Sequence, residues 1–224
     1  MSAEFRVVGQ PRPQLEGPLK VSGQAVYTHD LNVPGMLHGA ILRSRHAHAR
    51  IRSIDLSKAL AMPGVLVAIS GNDFLDRKYI NAGPMFADRR AMARGKVRFA
   101  GEEVAAVAAE TLKQAQAALE RIVVDYEVLP AVFDADAALA PDAHAIHVKT
   151  DLPKNIAQES VADFGDVKTA FENAAYVFDE TFEHGVVAPI CLETNGVLAS
   201  FDKDTESLML WAPTQAPFFV RKEV

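Results

Sequence analysis

Val104-Ala-Ala-Val-Ala-Ala-Glu-Thr-Leu-Lys-Gln-Ala-Gln-Ala-Ala-Leu-Glu-Arg-Ile-Val-Val-Asp-Tyr-Glu-Val128 is the stretch that decides the fold class. Its first six residues are small and apolar and read as a buried strand, Val104 to Ala109. Thr111 follows as a helix N-cap, and Gln114, three residues on, completes a capping box. Leu112, Ala115, Leu119 and Ile122 recur at three- and four-residue spacing, which puts them on one helix face. Ile122 to Val128 then reads as a second strand, ended by Pro130.

Strands and short helices mix on both sides of this unit. Residues 1–19 are punctuated by Pro and Gly and read as an extended arm. Gln24 to His29 reads as a strand and Asp30 to Gly35 as a turn. Met36 to Arg43 and Ala49 to Ile54 are apolar, strand-like runs. Ser57 to Met62 reads as a short helix closed by Pro63-Gly64, before a buried strand at Val65 to Ile69. Residues 71–95 have little periodicity and read as a long loop. Val97 to Phe99 is a strand, joined to Val104 through Gly101-Glu-Glu.

Further along, residues 134–160 are loop-rich and read as a linker or surface arm. A helix starts at Asp166, with Val167, Ala170, Phe171 and Ala174 on its buried side. Tyr176 to Phe182 alternates as a strand does, and Val197 to Phe201 with Leu208 to Trp211 reads as a hairpin. Strict strand–helix–strand alternation is missing, and no glycine-rich loop follows a strand. The fold class is α+β.

The 224 residues suffice for one large domain or two small ones. Net charge is −6, from 23 basic and 29 acidic residues. That balance argues against nucleic acid or an anionic membrane as the main partner. Cys191 is the only cysteine, so neither an internal disulfide nor a cysteine-ligated cluster can form within the chain. No run reaches the ~18 apolar residues of a membrane span, and the N-terminus has no signal core, so a cytoplasmic location is expected.

Several residues invite a chemical reading. His46 and His48 in Arg43-Ser-Arg-His-Ala-His-Ala-Arg50 would share one face of a strand, but no third metal ligand lies nearby in sequence. A polar strand edge or surface turn is the expected role. Glu102-Glu103 is expected to be a solvated turn, and His144 and His147 surface residues. Cys191 is expected to be a small core residue. Glu193, between Leu192 and Val197, must be solvated, paired or functional. In Leu210-Trp-Ala-Pro-Thr-Gln215 an apolar strand runs into a turn that presents an amide. A site beginning at Gln215 would need residues beyond this chain to complete it.

Three stretches, in order, resemble a known family. The first comprises Lys20-Val-Ser-Gly-Gln-Ala-Val-Tyr-Thr-His-Asp-Leu31, Gly39-Ala-Ile-Leu-Arg-Ser44, Ala47-His-Ala-Arg-Ile-Arg-Ser-Ile-Asp55 and Pro63-Gly-Val65. The second runs from Val104 to Val132. The third is Phe164-Gly-Asp-Val167 with Ala170-Phe171, then Leu192-Glu-Thr194 and Leu210 to Gln215. Together they resemble the beginning of the molybdenum-binding subunit of the xanthine dehydrogenase/aldehyde oxidase family. The resemblance implies an α/β hammerhead domain at residues 20–133, a linker at 134–162, and the truncated beginning of the first molybdopterin-binding α+β domain at 163–224.

By the same resemblance, Gln215 contacts an oxygen ligand of the molybdenum, a role that suits a neutral amide. Glu193 supports the pocket wall. The implied cofactor is molybdopterin, as Mo-molybdopterin or its cytosine dinucleotide, completed by other residues or chains. Iron–sulfur clusters and FAD would sit only on partner domains. Implied partners are the remainder of the molybdenum subunit, the iron–sulfur and flavin subunits and a small-molecule substrate.

Two features depart from the family pattern. Pro189 and Thr194 stand where relatives commonly have a histidine and a proline. The glycine-rich Gly-Gly-Phe-Gly segment and the general-base glutamate fall downstream in the family and are not in this sequence. The resemblance therefore implies part of an enzyme that hydroxylates an N-heterocycle or aldehyde, with the isolated chain inactive. The competing reading is a stand-alone, non-catalytic binding or assembly module. A hydrolase using Cys191 and His184 lacks any flanking turn of the right kind.

Overall fold

The computed structural model describes residues 7–80, 87–147, 153–188 and 190–224. In chain order the first elements are α1 (Gly17–Val21), β1 (His38–Arg43), β2 (Ala49–Asp55), α2 (Ser57–Leu60) and β3 (Val65–Ser70). Then come β4 (Tyr79–Ile80), β5 (Ala87–Arg89), β6 (Lys96–Val97), β7 (Glu103–Ala109), α3 (Leu112–Leu119) and β8 (Val123–Val128). The last are α4 (Ala135–Leu139), α5 (Val167–Glu172), β9 (Leu198–Asp202), β10 (Ser207–Trp211) and α6 (Pro217–Glu223). Residues 35–180 form one unit, and residues 1–34 with 181–224 form another.

The unit of residues 35–180 is built around β7. This strand lies between β1 and β3, antiparallel to both, with Ile41 opposite Ala106 on one side and Ile69 opposite Ala106 on the other. Its small side chains let α3 pack closely, and Ala105, Val107 and Ala118 are buried together with Ala59 and Ile122. A second sheet has the order β6-β2-β8, and its core is Ala49, Ala93, Val97 and Val104. Ile54 and Val124 pack against both cores, so the two sheets share one apolar interior.

The N-cap at Thr111 is present, its hydroxyl accepting from the Gln114 N–H at 3.2 Å. Gln114 does not close the capping box. Its side-chain oxygen accepts from the Thr111 hydroxyl at 2.7 Å, and its amide donates to the Pro63 carbonyl at 3.3 Å. The helix is thereby tied to the turn before β3. The buried face of α3 is carried by Ala115 and Ala118, while Leu112 is exposed.

Other expectations are corrected. Gln24 to Tyr27 forms no strand, and Thr28–Asp30 is a 3₁₀ turn. The loop at 71–95 contains a 3₁₀ turn at Gly71–Asp73 and the β4–β5 pair. Residues 134–147 and 153–160 are loop-rich as expected, apart from α4, and Lys154 and Asn155 bond back to residues 138–146. Asn155, at φ 65°, accepts from Ile146 N–H at 2.8 Å and donates to the carbonyls of Ala138 and His144, each at 3.0 Å. Helix α5 starts as expected, with Asp166 accepting from Thr169 N–H at 3.0 Å, but it buries nothing and Phe171 is exposed.

In the unit of residues 1–34 with 181–224, β9 and β10 form the expected hairpin, Phe201 opposite Leu208 and Leu198 opposite Trp211. Tyr176 to Phe182, which spans the boundary between the units, is not a strand, and Tyr176, Phe178 and Phe182 are exposed. Helix α6 is an element the sequence reading missed. No helix among the described residues is long and apolar enough to cross a membrane.

Candidate functional site

Strand β10 ends at Trp211, and Pro213, without an N–H to donate, stops the ladder there. Thr214 turns the chain, its hydroxyl accepting from the Ala216 N–H at 3.0 Å. Pro217 then opens α6 at a position where its missing N–H costs nothing. Gln215 sits on the bend between strand and helix, and its side chain is exposed. Its amide makes no hydrogen bond to the described residues. Beside it, β10 and α6 flank an open groove of about 510 Å³, lined by Leu208, Leu210, Thr214, Pro217 and Val220.

Glu193 is half-buried and lines a different opening, a cleft of about 450 Å³ in the same unit. Lys20, Tyr27, His29 and Asp30 form the opposite wall. Lys20 is paired with Glu16 at 3.0 Å, and Asp30 accepts from the Tyr27 N–H at 2.9 Å. Thus the structure brings Leu192-Glu-Thr194 together with the Lys20–Leu31 segment, more than 160 residues away in sequence. Gln215 lines neither opening. Cys191 is exposed rather than a core residue, because the surrounding apolar run is itself exposed. Pro189 lies outside the described residues.

His46 and His48 do not share a strand face, because residues 44–48 are the turn between β1 and β2. His46 meets the Tyr126 ring edge-on at 5.0 Å. His48 is buried, not at a surface, and its Nδ1 lies 2.6 Å from the Pro130 carbonyl oxygen. The turn is clamped from both sides, by Ser44 N–H to the Glu102 carbonyl and by Leu129 N–H to the His48 carbonyl. Among the described residues no three His, Cys, Asp or Glu side chains converge as a metal site.

The two carboxylates at 102 and 103 have different hydrogen-bond and ion-pair partners. Glu103 pairs with Arg43 at 2.6 Å and Arg89 at 3.4 Å. Glu102 is buried, accepting from the Arg98 N–H and pairing with the Arg98 guanidinium at 3.6 Å, so the expected solvated turn is corrected. Burial pushes the Glu102 carboxyl above the usual glutamate range, against the opposing pull of Arg98. A raised folded-state value stabilises the fold at acidic pH, and that contribution is lost as pH rises through it. Glu102→Gln keeps an acceptor and cannot ionise. Its melting temperature relative to the parent should therefore rise from the acid side of the glutamate range to neutral pH. A pH-independent difference between the two proteins would contradict this.

Residues 22–130 match the family model described as aldehyde oxidase and xanthine dehydrogenase, a/b hammerhead domain, and residues 148–224 match the molybdopterin cofactor-binding domain. The nicotine 6-hydroxylase large subunit of Paenarthrobacter nicotinovorans is 33% identical over 96% of this chain and 27% of its own length. Among solved structures, quinoline 2-oxidoreductase from Pseudomonas putida 86 is 34% identical, with a TM-score of 0.80 over 93% of this chain and 27% of that one. Reconstituted CO dehydrogenase from Oligotropha carboxidovorans is also 34% identical, with a TM-score of 0.86 over 96% and 28%. The chain belongs to the aldehyde oxidase and xanthine dehydrogenase family. It spans about a quarter of the length of these relatives.

Proposed function

We propose that this chain is the N-terminal portion of a molybdenum hydroxylase, which hydroxylates an N-heterocycle or an aldehyde with oxygen taken from water. Residues 20–133 are the hammerhead scaffold, 134–162 connect, and 163–224 begin the first molybdopterin-binding domain. The ranges of the two family matches support this division. The names of the relatives, for nicotine, quinoline and CO, differ too much to favour one substrate.

The observation that carries the reading is the uncommitted amide of Gln215, held at the junction of β10 and α6. The residues present fit one edge of a molybdopterin site: a neutral donor, carried on the bend between two elements, beside a groove with a largely apolar lining. The cofactor, as Mo-molybdopterin or its cytosine dinucleotide, would supply the oxidation chemistry. Gln215 would orient a polar partner through its N–H groups without adding charge. Glu193 supports the wall on its own cleft, facing the Lys20–Leu31 segment. Exposed Phe182, Ile190, Leu192 and Phe218 offer apolar surface to the remainder of the subunit. Iron–sulfur and flavin groups belong to partners.

Metal analysis tests the proposal. Isolated from its host in its native assembly, the chain should co-purify with molybdenum and iron. Produced alone, it should hold no stoichiometric molybdenum. A stoichiometric metal in the lone chain would contradict the shared site. A native assembly without molybdenum would leave the stand-alone binding module as the better account.

A further inference from the structure

Asn195-Gly196 is the one Asn-Gly pair in the sequence, and it lies between the Glu193 wall and strand β9, which begins at Leu198. Asn195 is exposed, and the stretch around it carries no helix or strand. We propose that Asn195 is a site of spontaneous covalent modification, in which its side-chain amide closes on the Gly196 nitrogen and then opens to isoaspartate or aspartate. The site uses only this chain's own backbone and is independent of the molybdenum reading.

The step needs only water and hydroxide. Hydroxide takes the proton of the Gly196 N–H, and the nitrogen attacks Cγ of Asn195. An N–Cγ bond forms, the Cγ–Nδ2 bond breaks, and Nδ2 leaves as ammonia. Water then opens the five-membered succinimide at either carbonyl. Opening at the backbone carbonyl leaves the chain running through the former side chain, as isoaspartate. Opening at Cγ leaves ordinary aspartate. Nothing is oxidised or reduced.

The attack requires a bare neighbour, a free N–H and room to turn. Gly196 has no Cβ to block the approach, and even a Cβ built there would meet no atom within 4 Å. Its N–H makes no hydrogen bond to the described residues, so the nitrogen is free to lose its proton and rotate. The other described asparagines lack this combination. Asn155 holds the Ile146 N–H and two carbonyls, and the next N–H, that of Ile156, donates to the Pro153 carbonyl at 3.2 Å. Asn173 donates to the Thr169 carbonyl at 2.9 Å, and the Ala174 N–H to the Phe171 carbonyl at 3.3 Å. Asn72 precedes Asp73, whose N–H the Ser70 side chain accepts. Asn32 is followed by Val33, whose branched side chain crowds the approach.

The product changes its surroundings. Isoaspartate adds one carbon to the backbone and sets a new carboxylate two residues after Glu193. Leu192, Glu193 and Thr194 line the cleft opposite Lys20 and Tyr27, so both changes fall on its wall.

The test incubates the 224-residue chain in mildly acidic and mildly alkaline buffer and maps its peptides by mass spectrometry, with an isoaspartate-specific methyltransferase assay. Asn195 should convert, with isoaspartate the larger share, and severalfold faster in the alkaline sample because the nitrogen must be deprotonated. Asn155 and Asn173 should persist. Gly196→Ala should slow conversion severalfold. Gly196 is outside the left-handed region and has open space around it, so the fold accepts the methyl group. The isoaspartate form, separated by ion exchange, should show amide NMR resonances of Glu193 and Tyr27 shifted from those of the fresh chain. An intact Asn195, equal conversion of Asn155 or Asn173, or a rate indifferent to pH or to Gly196→Ala would each overturn the proposal. Unshifted Glu193 and Tyr27 would overturn its effect on the cleft. The comparisons of pH and of asparagines on the unaltered chain hold even if the variant folds poorly.

Discussion

On the proposed function, Gln215→Ala is expected to lower kcat of the assembled enzyme by roughly 10²- to 10³-fold, the range for loss of one donor at the reacting group. Assembly and molybdenum content should survive, because the side chain is exposed and makes no hydrogen bond to the described residues of its own chain. Gln215→Glu sharpens the test. It keeps the shape but replaces the donating NH₂ with an oxygen and adds negative charge. Its loss should equal or exceed that of the alanine variant. Full turnover in both variants, with molybdenum retained, would remove Gln215 from the site.

The second large effect concerns stability. Gly71 follows β3 and is buried against the loop that carries Met92 and Ala93. A Cβ at this position would run into the Ala93 carbonyl, a backbone atom that cannot swing aside. Ala93 is itself 1% exposed within the second core, and its N–H donates to the Glu103 carbonyl at 2.6 Å. Movement there is passed on to β7. Gly71→Ala should cost about 1–3 kcal/mol, the usual penalty of overpacking. At this size that means a fall in Tm of roughly 2–4 °C per kcal/mol. Gly39→Ala on β1 is the control, since a Cβ there meets open space, and it should stay within about 0.5 kcal/mol of the parent. If both variants melt with the parent, the contact at Gly71 is not as tight as described.

Signals that act through near neighbours are legible in the sequence. Thr111 caps α3, Pro63-Gly64 closes α2, and the β9–β10 hairpin pairs as its spacing requires. Alternation at Tyr176 to Phe182 misled, because a strand needs a partner and the described residues supply none. Helix α6 opens on Pro217, and a proline serves equally well in a turn or at the first position of a helix, so that residue alone does not announce it. Burial of His48 was invisible, since its partner Pro130 lies 82 positions away and is brought close by the β2–β8 pairing. The same limit hid the cleft at Glu193. The family resemblance named both of its segments but not their meeting.

The β9–β10 hairpin has a consequence for how the protein is made. Among the described residues it is a sheet of two strands, so each strand keeps one row of N–H and C=O groups that no described strand pairs. Exposed Phe201, Leu208 and Met209 lie along it. Such a ladder recruits a further strand, and a neighbouring copy serves as well as the proper one. Pairing within one polypeptide is independent of concentration, whereas pairing between copies rises with it. The order and crowding of synthesis thus decide whether the hairpin is completed or becomes a seed for aggregation.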